Sequence, residues 1–175
     1  MARVFEGHYS GKDLSFGIVV SRFNEFVTKA MLDGALNELR RSGVAEADLR
    51  VVWVPGAYEI PVACQSLIDA KKPNALVALG CVIRGQTSHY EHIAQSVSDH
   101  LQRIAIQNRI PVGFGVVTVE NMEQALDRAG GKHGNKGRDA ARSAIEMVRL
   151  LEGLSDHQKK EEMLERIITL EFKNR

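Results

Sequence analysis

The sequence predicts an α/β protein, a three-layer α/β/α sandwich built on a central parallel sheet. Three observations carry the prediction. Short runs rich in Val, Ile and Leu alternate along the chain with longer stretches whose apolar residues recur every three or four positions. The short runs are apolar on both faces, the pattern of strands covered by helices on either side. Each is separated from the next by a helix-length stretch, which is what right-handed crossovers between parallel strands require. At 175 residues the chain can bury a core without disulfides or metal, and its length fits one domain.

The elements follow in order. The first strand is "LSFGIVVS" and is followed by helical spacing over residues 26–41. The second is "LRVVWV", with a helix over 60–71. The third is "NALVALGCVI", with a helix over 89–107, and the fourth is "PVGFGVVTV". A helix over 121–129 comes next, then a glycine-rich basic joint, "GGKHGNKGR", and a helix from Asp139 to about Leu151. From Ser155 onward charges dominate. Met163, Leu164, Ile167, Ile168, Leu170 and Phe172 still give this tail one apolar side, so residues 155–175 read as a peripheral helix or a partly ordered extension.

Composition narrows the partners. Lys and Arg number 23 against 22 Asp and Glu, so no uniform field exists to attract nucleic acid or an anionic membrane. The N-terminus meets Glu6 before any apolar run develops, and the longest apolar run, residues 75–83, is too short to span a bilayer. The expectation is a soluble, cytoplasmic protein. Cys64 and Cys81 lie inside apolar patterns with no metal-ligand spacing and read as reduced core residues.

Ligands of open parallel sheets bind beyond the carboxyl ends of the strands. That rule selects the loops "SRFNE", "PGAYEIP", "RGQTSH" and "TVENM". In the third, Gly85 permits a tight turn, Thr87 can cap the following helix, and the first-turn N–H groups favour an anion, phosphate above all. His89 falls in that first turn. It is either a general acid–base beside the anion or a histidine that only caps or packs, and the glycine and hydroxyl setting favours the first. His89 and His92 are three apart, which does not fit the four-residue spacing of a helical zinc motif. In "RAGGKHGNKGR", Arg128, Lys132, Lys136 and Arg138 surround glycines, giving either a second anion site or a solvated helix junction. It is not a Walker A loop, which needs a preceding strand and a hydroxyl after the lysine. Phe23 can stack a flat heterocycle or serve as satellite core. Glu59 favours a helix amino terminus or binds the polar groups of a ligand.

The motifs "GIVVSRFN", "VPGAYEIP", "LGCVIRGQTSHYEHI", "FGVVTVEN" and "RAGGKHGNKG", in this order and spacing, resemble the lumazine synthase family over residues 5–154. The resemblance implies a flavodoxin-like fold and a domain over 1–154, with 155–175 as an extension beyond the usual family end. It also implies a transferase that condenses 5-amino-6-(D-ribitylamino)uracil with 3,4-dihydroxy-2-butanone 4-phosphate, releasing phosphate and water, in riboflavin biosynthesis. No metal and no organic cofactor are implied. On the matching positions, Phe23 stacks on the pyrimidine. Ala57, Tyr58, Glu59, Cys81, Val82 and Ile83 hold the pyrimidine and ribityl chain, and Phe114 approaches the same ring. Gln86 and Thr87 bind the phosphate, Arg128 counters its charge with Lys136 nearby, and His89 transfers protons. Family sites lie between subunits of a homopentamer, with the residues matching Phe114 and Arg128 contributed by the neighbour. The junction "GGKHG" resembles that of relatives forming sixty-subunit icosahedral shells, which brings riboflavin synthase into view as a partner. Tyr58 stands where many relatives carry Phe or Trp, and Gln86 where Ala is frequent. Two rival readings carry less. A non-catalytic flavin or nucleotide module is opposed by the histidine beside a phosphate-type loop and the absence of a dedicated flavin-phosphate motif, and a shell protein with a vestigial site by the intact set of Phe23, Glu59, His89 and Arg128.

Overall fold

The computed structural model describes the backbone of residues 2–173 and the side chains of residues 2–161 and 163. Four parallel strands form one sheet: β1 (Phe16–Ser21), β2 (Leu49–Val54), β3 (Ala75–Ile83) and β4 (Val112–Val119), in spatial order β2-β1-β3-β4. They are joined by α1 (Glu25–Arg41), α2 (Ile60–Lys71) and α3 (His89–Asn108). Beyond β4 come α4 (Met122–Arg128), a small antiparallel hairpin of β5 (Ala129–Gly131) and β6 (Gly134–Asn135), and the long helix α5 (Lys136–Lys173). The three-layer α/β expectation holds.

Two cores hold the layers together. On one face Phe16, Ile18, Val20, Val77 and Leu79 meet Leu32, Ala35 and Leu39 of α1 and Ala141, Ala144 and Ile145 of α5. On the other, Val19, Leu76, Ala78 and Val116 meet Ile60, Cys64 and Ile68 of α2 and Val97, Leu101 and Ile104 of α3. Every β1 residue is buried, as its doubly apolar sequence requires. The outer strands differ from that expectation: β2 exposes Arg50 and Val51 and β4 exposes Phe114, because an edge strand has a neighbour on one side only.

The glycine-rich joint is more ordered than its composition suggests. Asn135 donates to the Ala30 carbonyl of α1 at 2.9 Å and accepts from the Gly137 and Arg138 N–H groups at 2.9 and 3.1 Å. One side chain thus starts α5 and fixes it to α1. Helix α5 runs on through the extension, since Gly153, which weakens a helix without breaking it, is the only glycine after Gly137 and no proline intervenes. The apolar positions Leu164, Ile167, Ile168, Leu170 and Phe172 lie outside the described side chains. The N-terminal segment lies along α5. Arg149 donates to the Ser10 carbonyl at 2.8 Å and to that of Lys12, the Arg142 guanidinium sits 4.0 Å from the Tyr9 ring centre, and Arg3 pairs with Glu161 at 2.8 Å. No helix among the described residues is long and apolar enough to cross a bilayer.

Gly137 is buried where α5 meets α1, and a Cβ there would collide with the Met31 carbonyl. Gly137→Ala is expected to destabilise by about 2 kcal/mol, lowering the thermal midpoint by roughly 4–8 °C. Gly153 has open space around it, so Gly153→Ala is expected to raise stability by about 0.5–1 kcal/mol. Thermal unfolding followed by circular dichroism checks both, and equal midpoints for the two variants would contradict this account of α5 packing.

Candidate active site

The sheet order reverses at β1 and β3, for β2 lies on one side of β1 and β3 with β4 on the other. Loops leaving the carboxyl ends of β1 and β3 therefore diverge and open a crevice. A cleft of about 370 Å³ occupies it, lined by Phe23, Gly56, Ala57, Tyr58, Cys81, Val82, Ile83, Gly85, Thr87, His89, Tyr90 and Ile93.

Each wall is built locally. The N–H groups of Arg22 and Phe23 donate to the Val54 and Pro55 carbonyls at 2.8 and 3.0 Å, so the β1–β2 pairing continues past the strand ends. This leaves the Phe23 ring 69% exposed, with its face free to stack. Asn24 adopts a left-handed backbone, φ 61°, a region where asparagine is enriched. Its amide donates to the Cys81 carbonyl at 2.9 Å, which clamps the first loop onto β3. Glu59 accepts the Gly56 N–H at 2.9 Å. That bond closes the short turn Ala57–Glu59 and presents Tyr58, 62% exposed, toward the cleft.

At the opposite wall α3 begins at His89. The Thr87 cap expected from the sequence is not formed: Ser88 takes the N-cap position with a helical backbone, and no side chain caps the helix. The helix starts at His89, one residue later than a Thr87 cap requires. The amino terminus of a 20-residue helix thus opens on the cleft without a hydroxyl competing for its N–H groups, the setting that favours an anion. The His89 ring is exposed and has no hydrogen-bond partner among the described residues. Cys81, on the cleft floor, is a neutral thiol: burial pushes it up to about 11. Burial pushes Cys64 up to about 12. Beside α3, the Arg84 guanidinium is held above its ordinary range, first by its hydrogen bond to Glu120.

The cleft thus gathers Phe23, Ala57, Tyr58, Cys81, Val82, Ile83, Thr87 and His89. Five sequence-selected residues do not line it. Gln86 is exposed in the same loop, and Glu59 borders an adjacent groove between α2 and α3. Phe114 and Lys136 share another concavity, along the β4 edge between α3 and α5, with Ile106, Met147 and Leu151. Lys136 there pairs with Asp139 at 2.9 Å. Arg128 is exposed at the end of α4 and forms no ion pair among the described residues. Sequence reasoning passed over Asn24, Arg84, Tyr90 and Ile93. Only Asn24 carried a signal, a turn-forming residue at a strand's carboxyl end.

The family model for 6,7-dimethyl-8-ribityllumazine synthase matches residues 13–152. The chain belongs to the lumazine synthase family. It is a transferase of riboflavin biosynthesis that forms 6,7-dimethyl-8-ribityllumazine. The match takes in the whole four-stranded sheet, α1 to α4, the hairpin and the first part of α5, and the parallel sheet flanked by helices is consistent with the lumazine synthase fold. The N-terminal segment along α5 and the remainder of α5 lie outside it.

Burial keeps both thiols protonated through neutral pH, and a thiol attacks only as the thiolate. Iodoacetamide at pH 8 is therefore expected to label neither Cys64 nor Cys81 in the folded protein and both in denaturant. Mass spectrometry reads this directly, and rapid labelling of native Cys81 would contradict a buried, neutral cleft floor.

Proposed function

We propose that the cleft is one half of an active site shared between two copies of the chain. Phe23, Ala57, Tyr58, Glu59, Cys81, Val82 and Ile83 hold 5-amino-6-(D-ribitylamino)uracil, with the Phe23 ring against the pyrimidine. Gln86, Thr87 and the uncapped α3 amino terminus hold the phosphate of 3,4-dihydroxy-2-butanone 4-phosphate, and His89 transfers protons. A neighbouring copy supplies Phe114, Arg128 and Lys136. The observation that supports this is the division of the set. Eight of the assigned residues line one cleft, while Phe114 and Lys136 line a separate concavity at the β4 edge.

The β4 edge suits a neighbour. Ile106, Phe114, Met147 and Leu151 are 69%, 50%, 42% and 40% exposed, and a contiguous apolar face of this kind marks an interaction surface. Two unlike faces in contact, cleft against β4 edge, form a heterologous interface, which closes into a ring when the rotation allows. A homopentamer is the ring we propose, in the cytoplasm. The "GGKHG" joint supports further assembly into a sixty-subunit shell with riboflavin synthase as a partner.

The chemistry fits such a site. The 5-amino group attacks the ketone and loses water to give an imine. Loss of the neighbouring C–H proton with phosphate leaves an enol that becomes a ketone, and the second nitrogen adds to that ketone and loses a second water to close the ring. Protons move at several steps, and no strong nucleophile is called for. Holding two substrates in register supplies much of the acceleration. A dianion held by helix N–H groups and an arginine is both bound and stabilised as it leaves.

His89→Ala is expected to slow formation of the fluorescent lumazine by about tenfold, below the 10²–10⁴ often associated with general acid–base groups; an unchanged rate would remove His89 from proton transfer. Arg128→Ala is expected to raise KM for the phosphate substrate about tenfold with little change for the pyrimidine. Mixing the two variants and letting them reassemble tests the shared site. In a ring, about a quarter of the sites then combine an intact cleft with an intact Arg128 face, so activity rises above the mean of the separate variants. A mixture no better than that mean would mean that each chain works alone.

A further inference from the structure

We infer that Arg84 is a positioning residue for the reaction, tying the end of β4 to the first turn of α3 and so fixing the loop that carries Gly85, Thr87 and His89. The Arg84 N–H donates to the Val119 carbonyl at 2.9 Å, which continues the β3–β4 pairing past Ile83. Its Nε lies 2.9 Å from Oε2 and 3.1 Å from Oε1 of Glu120, and Nη1 lies 3.2 Å from Oε1 of Glu91. The guanidinium carbon also sits 4.8 Å from the ring centre of Tyr90, which lines the cleft. Glu120 is held in turn: its N–H donates to Gln124 Oε1 at 3.0 Å, and the Gln124 N–H donates to Asn121 Oδ1 at 3.0 Å, the N-cap of α4.

The loop needs this tie because it has little else. No side chain caps α3, Gly85 has no neighbour close to where a Cβ would stand, and residues 84–89 are exposed. Exposed ion pairs taken singly contribute little. Here one rigid, planar fork serves two carboxylates and an aromatic face, so the ordering cost of a single side chain is shared among three contacts. Because Nε and Nη1 are engaged by Glu120 and Glu91 and Arg84 is not among the residues that line the cleft, Arg84 acts on substrate through the loop. The predicted effect on substrate rests on the proposed binding of phosphate by Gln86 and Thr87.

The test combines steady-state kinetics in both substrates with hydrogen exchange of the amides of residues 85–90, using Arg84→Ala, Arg84→Lys, Glu120→Gln and Thr87→Ala. Arg84→Ala is expected to accelerate that exchange and to raise KM for the phosphate substrate about tenfold, with KM for the pyrimidine within about twofold. Glu120→Gln shifts both readings in the same direction, the double variant is no worse than Arg84→Ala alone, and Arg84→Lys recovers part of the loss. Unchanged exchange in Arg84→Ala overturns the inference. So does a lower phosphate KM in Glu120→Gln, because releasing Arg84 would then have created a direct phosphate contact. If exchange accelerates while Arg84→Ala and Thr87→Ala both leave the phosphate KM unaltered, the phosphate assignment of the loop fails and Arg84 stands as the tie of the α3 terminus.

Discussion

Everything at the active end of this molecule depends on one constraint: β1 and β3 are parallel neighbours at the centre of the sheet, covered on both faces. Burial on both faces demands continuous apolar sequence, so neither strand can carry chemistry along its length. Polar function is pushed to the ends, and only the carboxyl ends open onto the amino termini of helices. The reversal of strand order there separates two loops that would otherwise lie side by side. The Asn24 to Cys81 hydrogen bond then sets how far they part, holding the Phe23 wall against the floor of the cleft while the α3 terminus forms the other wall.

The same constraint explains why the two edges behave differently from the centre. β2 uses its free side for Arg50 and Val51, and its far end pairs onward with the Phe23 loop. β4 places Phe114 on its exposed side, in a concavity whose other walls, Ile106, Met147 and Leu151, belong to α3 and α5. One chain thus offers an unfilled cleft at its centre and an apolar edge at its side. The stability of the central strands and the exposure of the apolar edge have a common origin.

Much of this was legible in the sequence. The runs of Val, Ile and Leu gave all four main strands, and the rule that ligands gather beyond strand carboxyl ends led to Phe23, Tyr58, Thr87 and His89. Misreadings occurred where a decision rests on one residue's dihedral angles. Thr87 and Ser88 are both competent caps, and nothing in "GQTSH" says at which of them the backbone turns helical. The β5–β6 hairpin is too short to register as a pattern, and its order comes from Asn135 reaching Ala30, 105 positions away in the chain. Arg84 was invisible for the same reason: its carboxylate partners stand 7 and 36 residues off, and an arginine after a strand carries no mark of the company it will keep.

Helix α5 has a consequence of another kind. At about 1.5 Å per residue, its 38 residues make a rod of about 57 Å, of which roughly 30 Å lies beyond the family match ending at residue 152. Arg3, near the start of the chain, is fastened to Glu161 on that same rod. The N-terminal segment and this stretch of the rod are therefore held together, so a change that frays α5 near Glu161 would also release the segment that carries Arg3.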